Sequence, residues 1–301
     1  MTYDIIIPTS ANDAPFLPRV ITYIRKNLSE ANNIYIIANK NIHTGIRKRC
    51  NDVFILNEDE LIDGLTFKNI EKKINSIAGA NIGRTGWYFQ QLLKLAFAQT
   101  NYCDKYYLTW DADTLPLSHI SFFKEGKPLF TLKKEYNKPY FDTIKRLLGI
   151  EKQVQASFIA EHMLFSKELV YKLISSIEKT NIQGNNWIEK ILYACEDLRL
   201  SAFSEFETYG NFVIANYPNS YGFQQLNTFR YGGLIRGRRI SDKLLERISF
   251  DTQTISFELR DKPLFPYNID NYLYIWKRYY NRIIRAQLSD IPHIIKAHFK
   301  R

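Results

Sequence analysis

With 301 residues, the chain has room for one large α/β domain or for one domain with an appended helical region. At 45% hydrophobic and 24% charged residues it is neither disordered nor fibrous, and no apolar run reaches the ~18 residues that a spanning helix needs. Cys50, Cys103 and Cys195 are too scattered for a disulfide scaffold or a structural zinc site, while the net charge of +10 admits nucleic acid, anionic lipid or an anionic substrate as partner.

Residues 4–8 (DIIIP) predict a buried strand, short, β-branched and closed by proline. The N-terminus therefore reads as the start of the fold rather than as a leader, in a reducing, cytoplasmic setting. Leu17, Val20, Ile21, Ile24 and Leu28 recur at helical spacing, with Asn12 or Asp13 available as a cap. Residues 34–38 (IYIIA) and 54–56 (FIL) predict two more strands, the latter followed by the acidic turn NEDELIDG. This succession is a parallel α/β pattern. Residues 68–80 are helix-compatible, and GRTGWYFQQLLKLAFAQT passes from two glycines into a strongly apolar helix. Residues 106–110 (YYLTW) predict the next strand, which runs straight into DADTLPL. Short strands are expected at 130–133 and 156–165, and helices over SKELVYKLISSIE and 186–202, leading into FSEFETYGNFVIANYP.

After about Pro218 the chain turns basic and aromatic. Residues 230–301 hold fifteen Lys/Arg against seven Asp/Glu. Tyr272, Ile275, Trp276, Tyr279, Ile283 and Ile284 fall on one helical face, with Lys277, Arg278, Asn281, Arg282 and Arg285 on the other. Such a helix suits an anionic membrane surface, making the protein peripheral at the inner face of the membrane. It equally suits packing on the domain with its charges in water.

The chemistry concentrates at YYLTWDADT. A buried strand delivers Asp111 and Asp113 at its carboxyl end, where open α/β sheets bind ligands. If the chain stays extended, the two side chains point the same way. Hard cations such as Mn²⁺ or Mg²⁺ prefer such oxygen ligands, and one held there can bridge the phosphates of a nucleotide diphosphate. The bland alternative is a solvated turn with two capping aspartates.

The strand-borne DAD, the IIIPTS strand and the GWYFQQLLKL helix together resemble the GT-A class of nucleotide-sugar glycosyltransferases. More narrowly, with AEHMLF and SEFETYG, the chain resembles bacterial glycosyltransferase-like proteins encoded with capsule or lipopolysaccharide genes. The matching stretches run over residues 3–233. The resemblance implies a Rossmann-like, mostly parallel sheet flanked by helices. A catalytic domain is expected at 1–228, with the nucleotide-sugar part at roughly 1–115 and the acceptor side at roughly 116–228. A basic aromatic helical extension is expected at 229–301. The activity implied is a metal-dependent glycosyl transfer from a UDP-sugar to a glycan or lipid-linked acceptor, with no nucleic acid involved.

In that class the end of the first strand holds nucleobase and ribose, which here falls on Pro8, Thr9 and Ser10. On the GW helix, Gln90, Gln91 and Lys94 are neighbours at helical spacing and are expected to face the donor cleft, with Lys94 or Arg84 near the diphosphate or the sugar. Glu161 and His162 interrupt an apolar strand where the class usually has small residues. They contact the sugar, or His162 joins the metal shell with Asp251 as the other candidate, or the two form a structural pair. An acidic residue near the start of a late helix often serves the class as base. Glu205 comes first for that role and Glu207 second, with Tyr209 and Gly210 as candidate acceptor wall.

Two rival functions stand against this. A nucleotidyltransferase needs a glycine-rich, basic loop after the first strand, and TSANDAPFL offers neither glycine nor a basic residue before Arg19. A nucleic-acid-binding, metal-dependent phosphotransfer enzyme fits the charge, yet the basic surplus sits away from the DAD strand.

Overall fold

A strand buried along its whole length occupies the middle of the sheet. All seven residues of β1 (Tyr3–Thr9) are buried, as a parallel strand covered on both faces requires. The computed structural model describes residues 1–266 and, beyond them, 268, 269, 273, 276 and 280. From β1 the chain runs through α1 (Leu17–Asn27), β2 (Ala31–Ala38), the short helix α2 (His43–Arg47), β3 (Phe54–Asn57), α3 (Phe67–Ala78), α4 (Thr85–Ala96) and β4 (Tyr106–Trp110). Next come β5 (Thr114–Pro116), β6 (Phe123–Lys124), β7 (Lys127–Thr131), α5 (Lys138–Leu148), β8 (His162–Ser166), α6 (Lys167–Glu178), α7 (Trp187–Ala194) and α8 (Glu205–Asn216). β9 (Gly222–Gln224), β10 (Thr228–Phe229), α9 (Gly232–Arg236), α10 (Asp242–Ile248) and β11 (Thr254–Ser256) follow.

The main sheet has five strands in the order β3-β2-β1-β4-β8. The first four are parallel, and β8 runs antiparallel to β4 with His162 opposite Trp110. This is the expected α/β class with a mostly parallel, helix-flanked sheet. Successive side chains of each strand go to opposite faces. Ile6, Tyr35, Ile37, Tyr107 and Phe165 meet α4 and the α6–α8 helices on one face. Ile5, Ile7, Ile36, Leu108, Trp110 and Leu164 meet α1 on the other. Two small sheets, β10-β11-β5 and β6-β7-β9, border the main one.

Local chemistry explains where elements start and stop. Thr66 caps α3 by accepting from the Asn69 N–H, and Gly79, at φ 71°, ends it in the left-handed conformation that only glycine adopts without strain. Asn12 and Asp13 do not cap α1. Asp13 is taken up by the Ser10 hydroxyl and the Arg238 guanidinium, and α1 starts instead on Leu17-Pro18, proline being well suited to a first turn. The strand expected over 156–165 is regular only from His162, and the helix expected over 186–202 ends at Ala194. The stretch 156–161 pairs briefly through Ser157 with Lys133 and then turns polar groups toward α8.

Residues 229–257, expected to begin an extension, carry Ile240, Leu245, Ile255 and Phe257 into the core face beside α1, and β11 pairs antiparallel with β5. Arg19 of α1 donates to the Ile240 carbonyl at 2.6 Å. The amphipathic helix expected over 272–285 lies outside the described residues, apart from Leu273, Trp276 and Tyr280, as do His293 and His298. No helix among the described residues is long and apolar enough to cross a membrane.

Candidate active site

The DAD turn is fixed from three sides. The Asp111 N–H donates to the Glu161 carbonyl at 2.9 Å, which carries the β4–β8 ladder one step past Trp110. The Thr114 N–H closes the turn on the Asp111 carbonyl at 3.1 Å. The Phe257 N–H, just past β11, donates to the Asp113 carbonyl at 2.9 Å. The chain turns at Ala112 and Asp113 rather than staying extended, and both carboxylates still line the same open space.

That space has two hollows that share Asp13, Gln90, Asp111 and Asp113. The first, of about 380 Å³, lies beyond the carboxyl ends of β1, β2 and β3. Pro8, Thr9 and Ser10 form its floor, Asn39 and Glu58 its far end, and Phe67, Phe89 and Leu93 its apolar wall. The second, of about 590 Å³, is charged: Arg84, Gln91 and Lys94 reach it from α4 and its N-terminus, Glu161 from the edge of β8, Glu205 from α8, and Arg230, Glu258 and Arg260 from the C-terminal segment. The structure thus brings together Pro8, Thr9, Ser10, Arg84, Gln91, Lys94, Asp111, Asp113, Glu161 and Glu205.

Lys94 is the hub of the second hollow. Its side chain is 4% exposed, and its ammonium donates to Asp111 at 3.2 Å and Glu205 at 2.9 Å. It also sits over the Phe206 ring. Burial works against the ammonium, but the carboxylates of Asp111 and Glu205 outweigh it and raise its pKa, so Lys94 stays protonated. Burial pushes the Glu205 carboxyl up, with Lys94 pulling the other way. In the amide orientation that satisfies both groups, the Gln91 nitrogen donates to the same carboxylate. Glu205 is also the first residue of α8, where the helix dipole favours negative charge. Burial, then the charges of Asp111 and Asp13, push Asp113 up to about 7. Arg84 donates to the Ser201 hydroxyl at 2.8 Å and lies against Trp87.

Other expected site residues fall elsewhere. Glu161 and His162 are consecutive at a strand edge, so the pleat sends them to opposite faces. Glu161 reaches the second hollow and takes the Lys133 ammonium at 2.6 Å, which outweighs burial and holds its carboxyl low. His162 goes inside, stacked on Trp110 at 5.0 Å and bonded through Nε2 to Thr131 at 3.0 Å. Burial lowers its pKa to about 4, so it is neutral and has no access to Asp111 or Asp113. Glu207 also faces inward. Its carboxylate accepts from the Ser157 hydroxyl at 2.6 Å, the Phe158 N–H at 3.1 Å and the Asn211 amide at 3.0 Å, and so pins the 157–158 loop to α8. The Tyr209 hydroxyl meets Tyr221 and the Ser166 N–H in the core. Gly210 is small because a Cβ there would come within 2.4 Å of the Phe158 ring. Asp251 is exposed and outside both hollows.

Asn39, Glu58, Phe67, Arg230, Glu258 and Arg260 line the hollows without having been singled out by sequence reasoning. NEDE signals an acidic turn and nothing more, and the three C-terminal residues reach the cleft only because β11 folds back onto β5.

The donor set fits a hard divalent ion that keeps most of its coordination for other ligands. No cluster of three or more His, Cys, Asp or Glu is arranged to hold a metal ion among the described residues. Mg²⁺-type sites often use one or two carboxylates, with water and substrate phosphates completing the shell. Asp113, its carboxyl pushed up by burial and by the neighbouring carboxylates of Asp111 and Asp13, is the kind of ligand a cation would relieve.

A family model described as "Family of unknown function (DUF6492)" matches residues 24–227, more than half of the chain. Among curated proteins, none matches. Among solved structures, the chain is similar to mouse xyloside xylosyltransferase 1 in its apo form, at 10% identity and TM-score 0.46, covering 88% of this chain and 100% of that one. It is similar to the galactosyltransferase LgtC in complex with donor and acceptor sugar analogs, at 11% identity and TM-score 0.41, covering 86% and 88%. It is also similar to the apo bifunctional glycosyltransferase WbbM, at 10% identity and TM-score 0.40, covering 87% of this chain and 46% of that one.

Proposed function

The chain belongs to the DUF6492 family, and we propose that it is a metal-assisted glycosyltransferase that takes a sugar from a nucleoside diphosphate donor. The observation that carries this reading is the junction of two unlike hollows at Asp111 and Asp113. The strand-end hollow has an apolar wall suited to a flat base, and among the described residues its charged lining is Asp13, Glu58, Asp111 and Asp113. An anionic diphosphate enters such a place only with a cation. The second hollow offers charged and hydrogen-bonding groups in the density that hydroxyl-rich molecules need.

In this reading Thr9, Ser10 and the apolar wall hold the nucleoside, and the diphosphate lies at the junction. Asp111 and Asp113 would hold a Mn²⁺ or Mg²⁺ ion, which would supply charge neutralisation for the phosphates and for the departing diphosphate. Arg84 supplies further positive charge on the side where the sugar projects, while Arg230 stands there already paired with Glu135 and Glu258. The acceptor hydroxyl forms its bond to the anomeric carbon as the bond from that carbon to the diphosphate oxygen breaks. Glu205, held in place by Lys94 and Gln91, takes the hydroxyl's proton. The acceptor is a glycan or a lipid-linked sugar of bacterial surface polysaccharide. Its place is the second hollow, and the basic C-terminal segment is the proposed contact with an anionic membrane.

The test is thermal stability with UDP and Mn²⁺ added separately and together. The pair is expected to raise the melting temperature by more than the sum of the separate effects. Asp113→Ala is expected to keep the unliganded melting temperature and lose that synergy. No response to any nucleoside diphosphate with Mn²⁺ would remove the proposal.

A further inference from the structure

The far end of the strand-end hollow carries a carboxylate that the transfer chemistry does not use. Glu58 follows β3, and its Oε1 accepts from the Asn39 amide, just past β2, at 3.1 Å. Its Oε2 has no hydrogen-bond partner among the described residues. The backbone on either side of it is anchored. Asn57 caps the short turn on which Glu58 sits, and the neighbouring Asp59 carboxylate accepts from the Phe67 N–H at 2.6 Å. The loop carrying Glu58 is thereby tied to the start of the helix carrying Phe67. The Phe67 ring stands edge-on to Phe89 at 5.7 Å and forms the wall beside the carboxylate. Half-burial pushes the Glu58 carboxyl up, against the pull of the Asn39 hydrogen bond.

Position decides what this group meets. Glu58 and the DAD turn leave the sheet at β3 and β4, which are separated by β2 and β1. At about 4.8 Å per strand step, that is roughly 14 Å. The base is the part of a nucleoside diphosphate farthest from the phosphates, and the ribose lies between. With the diphosphate at Asp111 and Asp113, Glu58 faces the edge of the base rather than the sugar hydroxyls.

An ionised carboxylate only accepts hydrogen bonds. We infer that Glu58, positioned by Asn39, is the base-reading residue of the donor site, and that it selects a base with a ring N–H on its pairing edge. Uracil N3–H and guanine N1–H satisfy that requirement. Cytosine N3 and adenine N1 present a lone pair at that position and are disfavoured there, leaving only an exocyclic amino group to donate to the carboxylate. Phe67 supplies the face against which the base lies. This inference rests on the proposed donor chemistry and adds to it the rule by which the donor is chosen.

The test is calorimetric titration of the full chain with UDP, GDP, CDP and ADP, each with Mn²⁺. UDP or GDP is expected to bind about tenfold or more tightly than CDP and ADP, the size of effect a charge-assisted hydrogen bond gives. Glu58→Gln keeps the shape but can donate to a lone pair. It is expected to weaken UDP and GDP binding, to strengthen CDP binding, and to bring the ratio within about threefold. The unliganded melting temperature reports whether that variant is folded, and the wild-type titrations test the rule without it. Equal binding of all four nucleotides by the wild type overturns this inference alone. A preference surviving in folded Glu58→Gln does the same. Failure of all four to bind overturns the donor reading and this inference together.

Discussion

The two hollows that meet at the DAD turn are made of different material. The strand-end hollow is built from the exits of three parallel strands and an apolar wall, and no Lys or Arg lines it among the described residues. The helix-side hollow draws Arg84 and Lys94 from α4 and its N-terminus, Glu205 from α8, and Arg230, Glu258 and Arg260 from the segment around β11. The contrast teaches a division of labour. In the proposed reading, the closely spaced strand exits suit the shape of a flat ligand. In the helix-side hollow two sets of charges are paired, Lys94 between Asp111 and Glu205, and Glu258 between Arg230 and Arg260. Asp111 and Asp113 serve both spaces because a tight turn exposes both carboxylates where the spaces join.

Three substitutions sharpen or break this division. The largest effect is expected from Glu205→Gln, on the helix side. Loss of a general base typically costs 10²–10⁴-fold, so sugar transfer measured as acceptor-dependent UDP release should fall by about that range, with UDP binding changed by less than about threefold. A variant that transfers normally would place the base elsewhere. Phe67→Ala, on the strand side, is expected to act the other way. Base–aromatic stacking is worth about 1–3 kcal/mol, so UDP affinity should drop roughly fivefold or more, while turnover at saturating donor holds. Unchanged affinity would dissociate the apolar wall from the nucleoside. The smallest functional effect belongs to Glu207→Gln. The amide places a donor among three groups that already donate to this carboxylate, at an expected cost on the order of 2 kcal/mol of stability in a denaturant titration. Neither UDP affinity nor turnover of the folded fraction should move. A selective loss of turnover would make Glu207 part of the chemistry.

Glu205 and Glu207 also show how far sequence reasoning reaches. FSEFETYG identifies two acidic residues near the start of a late element, and the structure makes both part of the first turn of α8. On a helix, residues two apart do not share a face. One carboxylate therefore enters the hollow and the other enters the core, and the letters alone do not say which. Glu161 and His162 repeat the lesson on a strand, where alternation separates them and burial leaves His162 neutral against Trp110. Gln90, Gln91 and Lys94, by contrast, were legible at helical spacing, because a polar stripe in so apolar a helix must meet either a cavity or other polar groups.

The sequence by itself determined the α/β class, the burial of the IIIP strand, the place of DAD at the end of β4 and the polar residues of α4, because each follows from local periodicity and short apolar runs, whereas the central position of β1 and the turn at Ala112 and Asp113 came from the fold. Tertiary structure alone decided that Glu58, Asn39 and Phe67 line one hollow, that Lys94 joins Asp111 to Glu205, and that residues 229–257 fold back beside α1 to complete the cleft. The physical reason is the same in each case. These groups lie far apart along the chain, and what joins them is a hydrogen bond, an ion pair or an apolar contact formed only once sheet order and helix packing have brought them together.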